Sequence, residues 1–113
     1  SGTPTLLNRI QSNFPGLFDE SHIVTSFNVK RGKPYPDPYL LALEKGRFAP
    51  NEAIVVENAP LGVTAGVAAG LFTVAANTGP LKDEVLSQAG ANLVFPSIEA
   101  LCNEWEKLFE ILK

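Results

Sequence analysis

Apolar positions along this chain follow two periods that alternate from one end to the other. Leu6, Leu7, Ile10 and Phe14 recur at helical spacing behind Thr3 and Pro4, an N-cap followed by a proline at the first helical position, and Pro15-Gly16 stops the run. The short β-rich stretch from His22 to Phe27 predicts a brief strand. Asp37-Pro38 repeats the cap-plus-proline signature; Tyr39, Leu40 and Leu43 give the next helix its buried side, and Gly46 is the natural residue just past its end. After a turn over Phe48-Ala49-Pro50-Asn51, Ala53-Ile54-Val55-Val56 forms a continuous β-branched run, which predicts a strand buried on both faces of a parallel sheet.

From Pro60 a helix carries Gly62, Gly66 and Gly70 at intervals of four, on one face, as a smooth ridge for close packing on a sheet. A membrane dimerisation face of the G-x-x-x-G kind is excluded by the shortness of the apolar segment. Phe72 to Ala76 is a second apolar strand, closed by an Asn77-Thr78-Gly79-Pro80 turn. Leu81 to Ala89 reads as a short helix with Asp83 and Glu84 where the macrodipole favours them, and Gly90 ends it. Leu93-Val94-Phe95 is a last short strand. Ser97 caps a final helix whose Ile98, Leu101, Cys102, Trp105, Leu108, Phe109 and Leu112 share one apolar face, which predicts a packed Trp105 and a buried Cys102. Helices alternating with strands predict an α/β protein, a three-layer Rossmann-like parallel sheet with flanking helices.

Composition narrows the functional classes. A chain of 113 residues with 45% hydrophobic and 19% charged residues is one ordinary globular unit. Its net charge is −3, and its nine Lys and Arg are scattered, so it has no basic stripe for nucleic acid. No apolar run reaches the length of a membrane span. The single cysteine excludes an internal disulfide framework and fits a reducing compartment, so the expected location is cytoplasmic.

Candidate chemistry gathers between Gly32 and Gly70. Lys33 stands between Gly32 and Pro34, with Pro36 and Pro38 stiffening the next few residues. A lysine held in this way loses little entropy on binding an anion, although taken alone a solvated surface lysine is the more ordinary occupant of such a turn. Glu57 and Asn58 end an apolar strand directly before the helix that Pro60 begins, at the carboxyl edge where α/β proteins place their sites. Two oxygen donors there suit a hard cation such as Mg²⁺; a helix cap and a turn are the alternatives. His22, beside Glu20 and Ser21, reads as a solvated loop residue.

Taken together, Gly-Lys-Pro-x-Pro-Asp-Pro and the later Glu-Asn-Ala-Pro-Leu-Gly-Val-x-Ala-Gly-x-Ala-Ala-Gly resemble the haloacid dehalogenase superfamily, in particular its β-phosphoglucomutase and phosphoglycolate-phosphatase-like branch. The resemblance implies an aspartate nucleophile in an Asp-x-Asp motif, an aspartyl-phosphate intermediate and Mg²⁺ as cofactor. It matches Lys33 to the lysine that neutralises the nucleophile and the transferring phosphoryl group, and Glu57 and Asn58 to the pair that helps to hold the metal. The second member of that pair is usually Asp, so Asn58 removes one negative charge and weaker Mg²⁺ binding is expected.

Two further departures shape the expectation. No Asp-x-Asp occurs in the chain, and nothing corresponds to the substrate-selecting cap. Ser1 and Gly2 are either extraneous to the native sequence or the end of the family's phosphate-binding loop, in which case they contact phosphate. The resemblance therefore implies the C-terminal portion of a core domain, residues 1–113, inactive alone, that acts on a small phosphorylated metabolite such as a sugar phosphate once the remaining part, or a second chain, completes the sheet. A degenerate relative that only folds against a partner is the non-enzymatic alternative. A receiver-like signalling domain is disfavoured, because the acid pair ends a middle strand and a glycine-ridged helix comes directly after it.

Overall fold

The computed structural model describes residues 28–111, together with Ser12, Asn13, Gly16 and Val24. Most of the first helix and of the strand expected over 22–27 lies outside the described residues; Ser12 and Asn13 are helical, and Val24 is outside regular structure.

The elements are α1 (Asp37–Gly46), a 3₁₀ turn (Pro50–Glu52), β1 (Ile54–Glu57), α2 (Pro60–Ala68), β2 (Phe72–Ala76), α3 (Asp83–Gln88), β3 (Leu93–Phe95), α4 (Ile98–Asn103) and α5 (Trp105–Ile111). Among the described residues three strands form a parallel sheet in the order β1-β2-β3, with Glu57 opposite Ala75 and Ala75 opposite Val94. Alternation along β2 divides its side chains between two covering layers. Ala75 packs with Val63 of α2 and Leu86 of α3, whereas Val74 packs with Leu101 of α4 and Leu108 of α5. Val55 of β1 joins Leu43 of α1, Ala69 and Leu71 in a third cluster. The sheet is thus the middle layer of three. Among the described residues no helix is long and apolar enough to cross a membrane.

The glycine ridge is two residues long. A Cβ on Gly66 would lie 2.7 Å from Thr73 Oγ1 and 3.2 Å from both methyls of Val55, so α2 sits on the sheet at a distance only glycine permits. Gly70, the expected third member, lies past the helix. Its φ is +79°, and a Cβ there would meet nothing within 4 Å. Gly70 N–H reaches Val67 O at 3.0 Å and Leu71 N–H reaches Gly66 O at 3.1 Å, the paired bonds of a Schellman stop.

The same stop ends α1, but there the left-handed residue is Arg47 (φ 58°), not Gly46. Gly46 is the last helical residue, and its lack of a side chain lets the Phe48 ring lie over it; a Cβ would meet that ring at 2.6 Å. Asp37 does not cap α1 either. Pro36 holds the cap position, and the Asp37 carboxylate accepts from Arg31 Nε and Nη2 at 3.3 and 3.0 Å.

Two expectations for burial fail for the same reason, an incomplete second layer. β1 is not buried on both faces: Val55 is 4% exposed but Val56 43%, because α4 and α5 seat on Val74 of β2 and leave the Val56 side of β1 open among the described residues. The final helix is broken at Glu104 into α4 and α5, and among its described residues only Leu101 and Leu108 are buried, Leu112 lying outside them. Cys102 and Phe109 each come one residue after a buried leucine, about 100° further round the helix, and are exposed, as is Trp105. Cys102 and Trp105 are therefore not core residues. The Ser97 cap is present, its Oγ accepting from Ala100 N–H at 3.0 Å.

Candidate active site

The carboxyl ends of β1 and β2 carry the polar cluster, and the packing of α1 places it. Leu43 fixes α1 against Val55. One turn earlier on the same helix face is Tyr39, and two residues later on the same strand face is Glu57, so the two periods bring them together. The Tyr39 hydroxyl donates to Glu57 Oε1 at 2.5 Å. Lys33 arrives from the preceding turn, in which Tyr35 N–H bonds Gly32 O at 3.0 Å and the Lys33–Pro34 peptide is cis. Its Nζ donates to the same Oε1 and stands 5.5 Å from the centroid of the Tyr39 ring, within cation–π range. Asn58 N–H donates to the other oxygen, Oε2, at 3.2 Å.

Gly62 makes this carboxylate position available. A Cβ there would come within 2.1 Å of the Glu57 carboxyl carbon and 2.2 Å of Oε2, so the acid lies directly against the first turn of α2. Only 9% of the Glu57 side chain is exposed. Burial pushes its carboxyl up, but the hydrogen bonds from Lys33 and Tyr39, the Lys33 charge and the Asn58 N–H together outweigh that and hold it below the ordinary range. Tyr39 moves the other way: burial, then the hydrogen bond to Glu57 and that residue's charge, push its hydroxyl far up, so it remains a donor at any physiological pH. Lys33 is thereby a cation fixed against a buried anion, with 29% of its side chain open to solvent.

A cleft of about 350 Å³ opens beside it, lined by Lys33, Glu57, Asn58 and Thr78 with apolar walls from Val56 and Ile98. Asn58 Nδ2 donates to Thr78 Oγ1 at 3.2 Å across the ends of the two neighbouring strands. A larger cleft of about 640 Å³ lies at the opposite, amino ends of β1 and β2, between Ile54, Phe72, Trp105 and Phe109. Its one carboxylate, Glu52, accepts from Ala49 N–H at 2.9 Å, and none of its lining residues is among the candidate site residues.

The sequence-predicted Lys33, Glu57 and Asn58 are brought together, whereas Ser1 and Gly2 lie outside the described residues. Among the described residues no group of three or more His, Cys, Asp or Glu stands ready for a metal ion. Glu57 Oε1 is taken up by Lys33 and Tyr39 and Oε2 accepts from Asn58 N–H, which leaves the remaining lone pair of Oε2 and the side-chain Oδ1 of Asn58 as hard oxygens for a cation. Those two fit part of a Mg²⁺ seat, and its octahedral preference calls for more oxygens than the pair supplies. Sequence reasoning missed Tyr39 and Thr78 as site residues. Tyr39 carried a signal, since a tyrosine on a buried helix face must find a partner for its hydroxyl. Thr78 lies just past the second parallel strand as Asn58 lies just past the first, at the same sheet edge.

A parallel sheet with helices on both faces and a lysine–carboxylate pair at its carboxyl edge define an α/β protein with its candidate site at the strand ends. The haloacid dehalogenase-like hydrolase family matches residues 11–76, and the chain belongs to that family. It is 41% identical over 93 residues to hexitol phosphatase A of Escherichia coli (strain K12), covering 82% of this chain and 42% of the relative. Against the β-phosphoglucomutase of Bacillus subtilis (strain 168) it is 30% identical over 110 residues, covering 92% of this chain and 44% of that enzyme. The solved structure of a β-phosphoglucomutase candidate from Bacteroides vulgatus superposes with a TM-score of 0.92 at 58% identity, over 100% of this chain and 46% of that one. The chain thus spans less than half the length of these relatives.

Proposed function

We propose that this chain forms the C-terminal portion of the core domain of a Mg²⁺-dependent phosphatase or phosphomutase acting on a small phosphorylated metabolite, a sugar phosphate in the first place. The observation that carries the reading is the Lys33 ammonium, anchored on the buried Glu57 carboxylate and opening on a cleft of about 350 Å³ at the sheet edge. Family membership and the sugar-phosphate chemistry named for the relatives support it.

In this reading a carboxylate oxygen outside the chain bonds to phosphorus while the ester P–O bond breaks and the departing oxygen takes a proton. Water, or a sugar hydroxyl in a mutase, then displaces the aspartate. Lys33 neutralises charge on the phosphoryl oxygens, and its tether to Glu57 and Tyr39 means that it need not be reorganised as that charge develops. Glu57 Oε2 and Asn58 Oδ1 would contribute to holding Mg²⁺, which when bound supplies charge neutralisation and orients the phosphoryl group.

In this reading the nucleophile lies outside the chain, which holds no Asp-x-Asp, so purified residues 1–113 should release no phosphate from glucose, hexitol or glycerol phosphates. Joined to a segment carrying Asp-x-Asp, it should turn over at least one of them and lose that turnover on removal of divalent cations by EDTA. Phosphate release by the chain alone, or an active joined protein indifferent to EDTA, would overturn the reading.

A further inference from the structure

Gly62 and Gly66 are buried one turn apart on α2, and a Cβ added at each would meet a different kind of neighbour. At Gly66 it would meet Thr73 Oγ1 at 2.7 Å and both Val55 methyls at 3.2 Å, side chains fixed inside the core. At Gly62 the three nearest atoms outside the helix are the carboxyl carbon and both oxygens of Glu57, all well inside van der Waals contact. No core side chain is among them. The helix has little room to back away. Val63, next to Gly62, is wholly buried with Ala75 and Leu86, and Gly66 is held against Val55 and Thr73 one turn later. The side chain that must yield to a Cβ at position 62 is therefore Glu57. Its carboxylate withdraws only by giving up the bonds from Lys33 Nζ, the Tyr39 hydroxyl and Asn58 N–H.

From this geometry we propose that Gly62 is a positioning residue, kept free of a side chain for the Glu57 carboxylate rather than for the packing of α2 on the sheet. The space its missing Cβ would fill is where the anchor of Lys33 lies. Glycine is a poorer helix former than alanine, so position 62 gives up some stability of the helix for the placement of one carboxylate. Gly66 serves the fold, and Gly62 serves the site. The proposal rests on the phosphoryl-transfer reading for its consequence in activity, whereas the contact with Glu57 is read from stability without it.

The test is a cycle in the whole protein: Gly62→Ala, Glu57→Ala and the two together. In the unmodified background Gly62→Ala should leave the thermal midpoint unchanged or lower it, because displacing the carboxylate offsets the better helix former. In Glu57→Ala, with no carboxyl group to displace, the same substitution should raise the midpoint by about 2–4 °C. Gly62→Ala alone should fold and lose about tenfold to a hundredfold in kcat/KM on the best sugar phosphate, the scale for a catalytic group slightly misplaced. Equal midpoint shifts in the two backgrounds overturn the proposal, since position 62 would then not press on the carboxylate. Gly62→Ala that fails to fold in both backgrounds overturns it too, because glycine would then serve the packing of α2. So does a folded Gly62→Ala protein with kcat/KM within a fewfold of the unmodified one, since the placement would serve nothing that the reaction uses. If the unmodified protein hydrolyses no phosphate ester, the phosphatase reading falls instead, and the midpoints alone decide the contact.

Discussion

On the α2 side of the sheet, helix and strands meet at backbone distance: Gly66 lies against Thr73 and Val55, Gly62 against Glu57, and Val63, Ala75 and Leu86 are wholly buried. On the opposite side α4 and α5 touch β2 through Leu101 and Leu108, while Ile98, Trp105 and Phe109 are 48%, 40% and 59% exposed. The two sides cover the same strands, yet one is packed without tolerance and the other is half open. The anchoring carboxylate belongs to the tight side, and the cleft beside it reaches the open side through Val56 and Ile98. Glu57 shares a strand face with Val55 and is trapped beneath the first turn of α2, so the rigidity of that layer passes directly to the carboxylate that anchors Lys33.

Substitutions can break that contrast in order of expected size. Leu86→Ala removes a side chain with no exposure and should cost about 2–5 kcal/mol in chemical denaturation. Gly66→Ala should cost about 1–3 kcal/mol by overpacking, even though alanine suits a helix better, because neither Thr73 nor Val55 has room to withdraw. Phe109→Ala, on the open side, should stay within about 0.5 kcal/mol. If Phe109→Ala matched Leu86→Ala, something outside the described residues would have to cover that side, and the contrast between the layers would be lost.

Acid sharpens the comparison further. The folded-state value of Glu57 is below its ordinary 4.5, so its contribution to stability is fully present above about pH 4.5 and fades as pH falls through the depressed value. The difference in thermal midpoint between the unmodified protein and Glu57→Gln should therefore be largest near neutrality and shrink towards pH 3. A difference that stays constant across that range would mean that the Lys33–Glu57 pair does not lower the carboxyl at all.

Much of this arrangement was legible in the residue pattern. Phe72–Ala76 and Leu93–Phe95 are strands at the expected bounds, Ser97 is a cap, and Lys33 meets the Glu57-Asn58 pair. These arise from local periodicity, or from motifs whose spacing encodes a shared sheet edge. What escaped was set by tertiary partners. Asp37 looked like a cap but was claimed by Arg31; Gly46 looked like a left-handed terminator but was required flat under Phe48; Gly70 had the right spacing for the ridge yet lay past the end of the helix. Cys102 and Trp105 fell on an apolar stripe that was wider in sequence than the surface available to bury it. Tyr39 and Thr78 were read as packing and turn residues because the hydroxyl's partner lies on another element in each case.

The role we propose for Lys33, a pre-anchored cation for the transferring phosphoryl group, is tested most directly by Lys33→Met in the whole protein. The variant is assayed for kcat/KM on its best phosphorylated substrate, with folding checked by thermal melting. The expected result is a folded protein whose kcat/KM falls by at least about a hundredfold, the usual scale for losing one preorganised electrostatic contact. A folded Lys33→Met protein that retains kcat/KM within a fewfold would contradict that role.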